Sequence, residues 1–241
     1  MKFPLLDPPP LAGEREKSEP PRDCPRCPRL AAFREVWRAR EADWFNAPVP
    51  SFGPIDASLL IVGLAPGLQG ANRTGRPFTG DHAGELLYPT LAEFGLARGR
   101  YAARPDDGFT LLDCRISNAV RCVPPENKPV GAEIATCRDF LKAEIAAMSK
   151  LRAMVALGRI AHDSVVTALD GKRSAVPFTH GRAHALGRIT LFDSYHCSRY
   201  NTNTGVLTPD MFRAVFASVR AHMARGATAV ISPARESGSS P

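Results

Sequence analysis

An apolar run that stops at glycine or at a polar loop, followed by a stretch with helical apolar spacing, recurs four times in this chain. The pairs are ASLLIVGLA with HAGELLYPTLAEFGL, FTLLDCRISNAVRC with AEIATCRDFLKAEIAAM, LRAMVALG with RIAHDSVVTAL, and RITLFDSYH with TPDMFRAVFASVRAHM. In the first helical stretch Leu86, Leu87, Thr90, Leu91 and Phe94 share one face. Short continuous apolar runs suit strands buried on both sides, and their alternation with helices predicts an α/β fold: a three-layer α/β/α sandwich around a mainly parallel central sheet. Upstream, DCPRCPRLAAFREVWRAREADW reads as a cysteine pair leading into a helix, with Leu30, Phe33, Val36 and Trp37 expected in the core.

A chain of 241 residues, 44% hydrophobic, can bury one sizeable core, so one domain is expected over residues 23–225. The Pro- and charge-rich residues 1–22 and the small, polar residues 226–241 read as poorly ordered flanks. No segment approaches the roughly 20 apolar residues of a membrane span, so a cytoplasmic protein with no membrane contact is expected. A net charge of +7 favours a polyanionic partner such as nucleic acid.

In that compartment cysteines are read as metal ligands before disulfides. Cys24 and Cys27 are separated by two residues, and Cys122 and Cys137 by fourteen. Four thiolates suit a structural zinc or an iron–sulfur cluster, and the loose second pair favours a 4Fe-4S cluster, with four unrelated cysteines as the remaining reading. Cys114, inside an apolar run, reads as a small buried hydrophobe. Cys197, beside His196, is open between a nucleophile next to a base and a plain loop residue.

In a parallel sheet the ligand crevice lies outside the carboxyl ends of the strands. Three polar segments fall there: GLAPGLQGANRTGRPFTGD, SNAVRCVPPENKP and SYHCSRYNTNTG. The first lacks both the Walker lysine and the dinucleotide glycine pattern, which removes the main support for ATP or NAD binding. Its glycines let backbone approach a ligand closely, Arg73 and Arg76 are candidates for phosphates and Phe78 for stacking on a base, with a core phenylalanine and solvated arginines as the equal alternative. Asn118 closes the second strand, where its amide reads a polar ring edge or caps a turn, and Arg121 opens a rigid basic turn at Cys122. His196, Ser198, Arg199, Tyr200 and Asn201 make a basic, aromatic loop suited to a nucleic-acid groove.

Together these loops resemble the uracil-DNA glycosylase superfamily, specifically its iron–sulfur branch of bacterial and archaeal enzymes known as type b or the fifth family. GLAPGLQGANRTGRPFTGD is similar to the branch's first motif, NAVRCVPPENKPVG to its middle motif, and SYHCSRYNTNTG to its last, usually written H-P-S-x-x-N-T. The spacing of CPRCPRL, RC and TCRDFL is similar to that of its cluster ligands, so the resemblance covers roughly residues 24–220.

The resemblance implies a repair enzyme that flips uracil, and other deaminated bases such as hypoxanthine and xanthine, out of DNA. It hydrolyses the N-glycosidic bond and leaves an abasic site. It also implies a monomer, a 4Fe-4S cluster on Cys24, Cys27, Cys122 and Cys137, and catalytic roles for His196, Asn118 and Asp81. His196 would donate to the carbonyl of the leaving base, and Asp81 would orient water or face the cationic sugar, with Asn72 the alternative for the water and a helix N-cap the alternative role for Asp81. The pocket wall would comprise Gly63, Leu64, Ala65, Asn72 and Phe78, with Ser198, Arg199 and Asn201 from the last motif.

Four residues at three places depart from patterns in the superfamily. Leu64 stands where related branches carry an acidic or amide side chain, Leu68-Gln69 where a small residue and histidine are common, and Cys197 where proline follows the histidine. Two other readings stay open: a noncatalytic iron–sulfur module that binds nucleic acid, and a glycosylase restricted to uracil.

Overall fold

Residues 18–228 are described by a computed structural model. Helix α1 spans Pro28–Arg40, and strand β1 spans Leu59–Gly63. A one-turn helix α2 (Ala71–Thr74) and α3 (His82–Glu93) follow, then β2 (Ala97–Arg98), β3 (Thr110–Leu111) and β4 (Cys114–Asn118). The remainder is α4 (Gly131–Ala147), β5 (Ala153–Leu157), α5 (Arg159–Ala168), β6 (Ala183–Leu186), β7 (Ile189–Ser194), α6 (Arg199–Asn203) and α7 (Pro209–Thr228).

The central sheet runs β4-β1-β5-β7-β6, parallel throughout except for β6. Every residue of β1, β4 and β5 is buried, as strands covered on both faces require. Leu59 and Ile61 point to one side, into a core shared with Leu87 and Leu91 of α3 and Phe212 and Phe216 of α7. Leu60 and Val62 point to the other, among Leu141 and Ile145 of α4 and Val165 and Val166 of α5. The three-layer sandwich expected from the alternation is therefore the architecture found. From β1 the chain moves outward to β4 and then returns to β5 on the other side of β1, so the crossover reverses at the carboxyl end of β1.

Three expectations change. FTLLDCRISNAVRC is two strands, β3 and β4, because the chain turns at Asp113, whose φ is +50°. The Asp113 carboxylate accepts from the Ser58 N–H at 2.7 Å and from its hydroxyl at 2.5 Å, pinning the start of β1. Val36 is exposed, and Phe33 and Trp37 are only half-buried, so the apolar stripe of α1 is carried into the core by Leu30 alone. The short antiparallel edge strand β6 carries no run long enough to signal itself. The expected flanks 1–22 and 226–241 lie largely outside the described residues. Within the first, Glu19 pairs with Arg115 at 3.0 Å and also with Arg121.

At the β7 edge, Asp193 is fully buried and accepts from His162 Nδ1 at 2.6 Å, from His184 Nε2 at 2.9 Å and from the Thr179 N–H at 3.0 Å. His162 Nε2 lies 2.8 Å from the Val176 carbonyl, so both nitrogens of this ring face acceptors, as an imidazolium requires. The three side chains place ligand atoms within 4.8 Å of one another, a spacing compatible with a metal ion, but these hydrogen bonds already engage them. Burial pulls the His162 pKa down, yet the Asp193 carboxylate and the Val176 carbonyl outweigh it, and the net shift is upward.

A histidine whose folded pKa is raised stabilises the fold below its unfolded pKa, and that contribution is lost as pH rises through the folded value. The melting temperature should therefore fall as pH rises beyond the ordinary histidine range, and Asp193→Asn should flatten that fall. Leaving a buried imidazolium without its partner should cost about 3–5 kcal/mol in urea denaturation.

Candidate active site

The carboxyl ends of β1, β4 and β7 meet at one crevice. Gly63 closes β1 in register with Asn118 at the end of β4. A Cβ at position 63 would lie 2.4 Å from Asn118 Oδ1 and 2.5 Å from Phe78 Cζ, so only glycine lets the carboxamide and the ring close over the strand end. Asn118 Oδ1 is buried and has no hydrogen-bond partner among the described residues. Such an orphaned acceptor costs about 1–3 kcal/mol, which a donor on a bound molecule would offset.

Phe78 faces His196, with ring centroids 6.0 Å apart and planes 29° apart. Its φ of +54° is a strained backbone state for a bulky residue, held from several directions. The Phe78 carbonyl accepts from the Tyr101 hydroxyl at 3.3 Å, and the Pro77 carbonyl accepts from Tyr88. Gly84 admits the same backbone, because a Cβ there would lie 2.0 Å from the Phe78 oxygen.

Arg76 does not await a phosphate. It is buried, forked onto Asp107 through two hydrogen bonds of 2.8 Å, and its Nε donates to Thr79 Oγ1 at 2.7 Å. The guanidinium sits 5.2, 5.4 and 5.8 Å from the ring centroids of Phe52, Tyr88 and Tyr101. It holds the Asp107 carboxyl well below the usual range. Arg73, by contrast, is exposed.

Asp81 occupies the N-cap position of α3, yet its side chain makes no capping bond. The carboxylate turns back into the loop, where a Cβ on Gly70 would lie 1.9 Å and one on Gly67 2.5 Å from its atoms, and where the Ala71 N–H donates at 3.4 Å. Burial raises its pKa, against the pull of the Ala71 amide and Arg73. Asn72 is engaged elsewhere: its Nδ2 donates to Asn46 Oδ1 at 2.8 Å, and Asn46 in turn donates to the Trp37 and Glu41 carbonyls at the end of α1. Its carboxamide is thus directed toward α1 rather than left open for water.

Burial lowers the His196 pKa to about 4, so the ring is neutral at neutral pH. The loop after it is internally braced. Asn201 Nδ2 donates to the His196 carbonyl at 2.8 Å, and Ser198 Oγ caps α6 by accepting from the Asn201 N–H. Ser198 and Asn201 therefore set the loop's shape, while Arg199 and Tyr200 stand exposed beside it. Cys197 is fully buried and its thiol is pushed up to about 12, which removes it as a nucleophile. Cys114 is likewise buried, as its apolar run implied.

Leu64 and Ala65 are half-buried on the path out of β1, with the Leu64 carbonyl accepting from the Val120 N–H at 3.0 Å. Ala65 packs against a corner formed by Cys24, Cys27, Cys122 and Cys137, whose side chains line one cavity. Burial and the neighbouring thiols push Cys122 up to about 12 and Cys137 up to about 11. The Arg121 N–H donates to Cys137 Sγ at 3.3 Å. The Arg121 side chain is buried against Glu144 and Glu19 and does not face the crevice.

Sequence reasoning missed Tyr101, Gly84 and Asp107 at this site, and the contact of Gly158, between β5 and α5, with the His196 loop. Only the glycines carried a signal, one in the first turn of a helix and one between strand and helix.

Residues 50–220 match the family model described as the uracil DNA glycosylase superfamily. The chain is 45% identical over 196 residues to the type-5 uracil-DNA glycosylase of Thermus thermophilus, covering 78% of this chain and 89% of that one. It is 38% identical to the type-5 enzyme of Pyrobaculum aerophilum (77% and 83% covered) and 41% identical to that of Mycobacterium bovis (80% and 75%). Gly63→Ala should lower stability by about 1–3 kcal/mol in urea, because the added methyl must displace Phe78 or Asn118.

Proposed function

Because the chain belongs to the uracil-DNA glycosylase superfamily and is a uracil-DNA glycosylase, we propose that its crevice takes a base flipped out of DNA. The reading extends to uracil and to hypoxanthine and xanthine, with cleavage of the N-glycosidic bond leaving an abasic site. The observation that carries it is the meeting of Gly63, Asn118, Phe78 and His196 at the carboxyl end of β1, with the Asn118 acceptor buried and unpartnered. That acceptor suits a ring N–H, and Phe78 offers a stacking plate beside it.

Bond cleavage separates an anionic base from a sugar with cationic character, and both charges need stabilisation. A neutral His196, its ring proton on the nitrogen facing the base, donates to a carbonyl oxygen as negative charge builds there. The Asp81 carboxylate supplies negative charge toward the cationic sugar from a partly desolvated site, where Coulomb attraction is stronger than in bulk solvent. Asp81 holds the water or faces the sugar; Asn72, tied to Asn46, is the weaker candidate. With leucine at position 64, no polar side chain there restricts the pocket, which supports the wider substrate range.

The cysteine corner supports a 4Fe-4S cluster held by Cys24, Cys27, Cys122 and Cys137. The four thiols converge on one cavity, and burial raises the pKa of Cys27, Cys122 and Cys137, which makes these poor thiolates by themselves; bound iron would reverse that. Held by these residues, a cluster would cross-link the segment before α1 to the strand-end loop that carries Cys122 and to Cys137 of α4. No helix among the described residues is long and apolar enough to cross a membrane. A cytoplasmic monomer acting on DNA is the setting proposed.

Duplexes carrying one uracil, hypoxanthine or xanthine should all be cut after mild alkali. Cutting of uracil alone would leave the narrow enzyme, and cutting of none would leave a noncatalytic binding module. His196→Ala and Asp81→Ala should each slow single-turnover excision by about 100-fold or more while duplex binding persists. Cys122→Ala should remove visible-range absorption and lower the melting temperature; a variant as stable and active as the parent would refute the cluster.

A further inference from the structure

Away from the base pocket, α4 and α5 are bordered by an open groove. One part is lined by Ile134 and Arg138 of α4, Ser164 and Thr167 of α5, and Arg173; the adjoining part by Arg159, Lys172, Arg173 and Phe178. Asp163 and Arg173 line both parts, which makes them one continuous channel. Its cations are Arg138, Arg159, Lys172 and Arg173, and Asp163 is the one acid in the lining among the described residues. Asp163 is within 3.7 Å of Arg173 and offsets only that charge in part. Arg159, Lys172 and Arg173 are exposed.

Two polar atoms in the lining lack partners. Ser164 is 1% exposed with its Oγ unsatisfied, and the Arg138 Nε is buried and equally unsatisfied. A hydroxyl and a guanidinium N–H left without acceptors, beside exposed cations, match the oxygens of an anionic backbone. One lining residue, Arg159, directly follows a glycine that contacts the His196 loop. Gly158, with φ of +94°, precedes α5, and a Cβ there would touch the Cβ of His196 at 3.4 Å. The groove residue Arg159 is therefore one position from the contact with His196.

We propose that this α4–α5 groove carries the phosphodiester backbone of the DNA strand running away from the flipped nucleotide. Arg159, Lys172 and Arg173 contact successive phosphates, and Arg138 with Ser164 anchors the far end. The proposal rests on the glycosylase reading and adds to it a strand path beyond the base pocket.

Removing one cation that neutralises a phosphate should reduce the slope of log binding constant against log salt by about 0.9. The triple variant R159A/K172A/R173A should therefore lower that slope by about 2–3 on an undamaged duplex. It should raise KM for a uracil duplex without changing the single-turnover rate at saturation. Arg173→Lys should keep the parent's slope, which separates charge from a structural role for that side chain. The paired control R213A/R220A, on α7 across the sheet, should leave the slope unchanged. A triple variant with the parent's slope, or a control whose slope falls as much, would overturn the groove. Because binding to undamaged duplex does not require chemistry, failure of the parent to excise uracil would defeat the enzyme reading alone.

Discussion

The shape of the active-site loop depends on one buried ion pair. Arg76 is enclosed by Phe52, Tyr88 and Tyr101, so its charge is tolerable only because Asp107 meets it with both oxygens. Asp107 in turn accepts from the Ala102 and Phe109 N–H groups, which fastens the segment between β2 and β3 to the same point. Two residues beyond Arg76 the chain enters a left-handed turn at Phe78, a conformation that costs about 1–3 kcal/mol and persists only where its surroundings impose it. The aromatic box and ion pair are those surroundings. The Phe78 ring is thus positioned through its backbone, by Tyr88, Tyr101 and the Arg76–Asp107 pair.

A second set of constraints joins the cysteine corner to the crevice. Asn72 and Asn46 link the loop after β1 to the end of α1, whose first turn follows Cys27. On the other side Glu144, fully buried, accepts from Arg115 at 2.6 Å and from the Ser117 hydroxyl at 2.7 Å, one residue before Asn118. Arg121 completes this network with Glu19 and Glu144 while its amide reaches Cys137. The corner and the carboxyl end of β4 are thus joined by one network of hydrogen bonds and ion pairs that ends one residue before Asn118.

Much of this was legible because periodicity reports burial. The continuous runs LLIVG and AMVAL could only be central strands, and the alternation with helices fixed the layers. Glycine carried information too, since Gly63 marks where a side chain would occupy the crevice. Partner identity was not legible. Arg76 and Arg73 are the same residue type in one loop, and only Asp107, 31 positions from Arg76, makes one a buried pillar while the other stays exposed. Asn72 and Asn201 carry amides suited to a base edge, yet each is bound to a distant or local backbone-setting partner. Asp81 shows the reverse: its position reads as a cap, but the space left by Gly67 and Gly70 draws its carboxylate into the loop.

Cys197 gives the His196 loop a built-in chemical clock. A thiol sealed at 0% exposure and held protonated reacts with an alkylating reagent only when the loop lifts away from the core. Its labelling rate therefore counts excursions of the segment that carries His196, with no residue changed. A proline at that place would stiffen the same segment and report nothing.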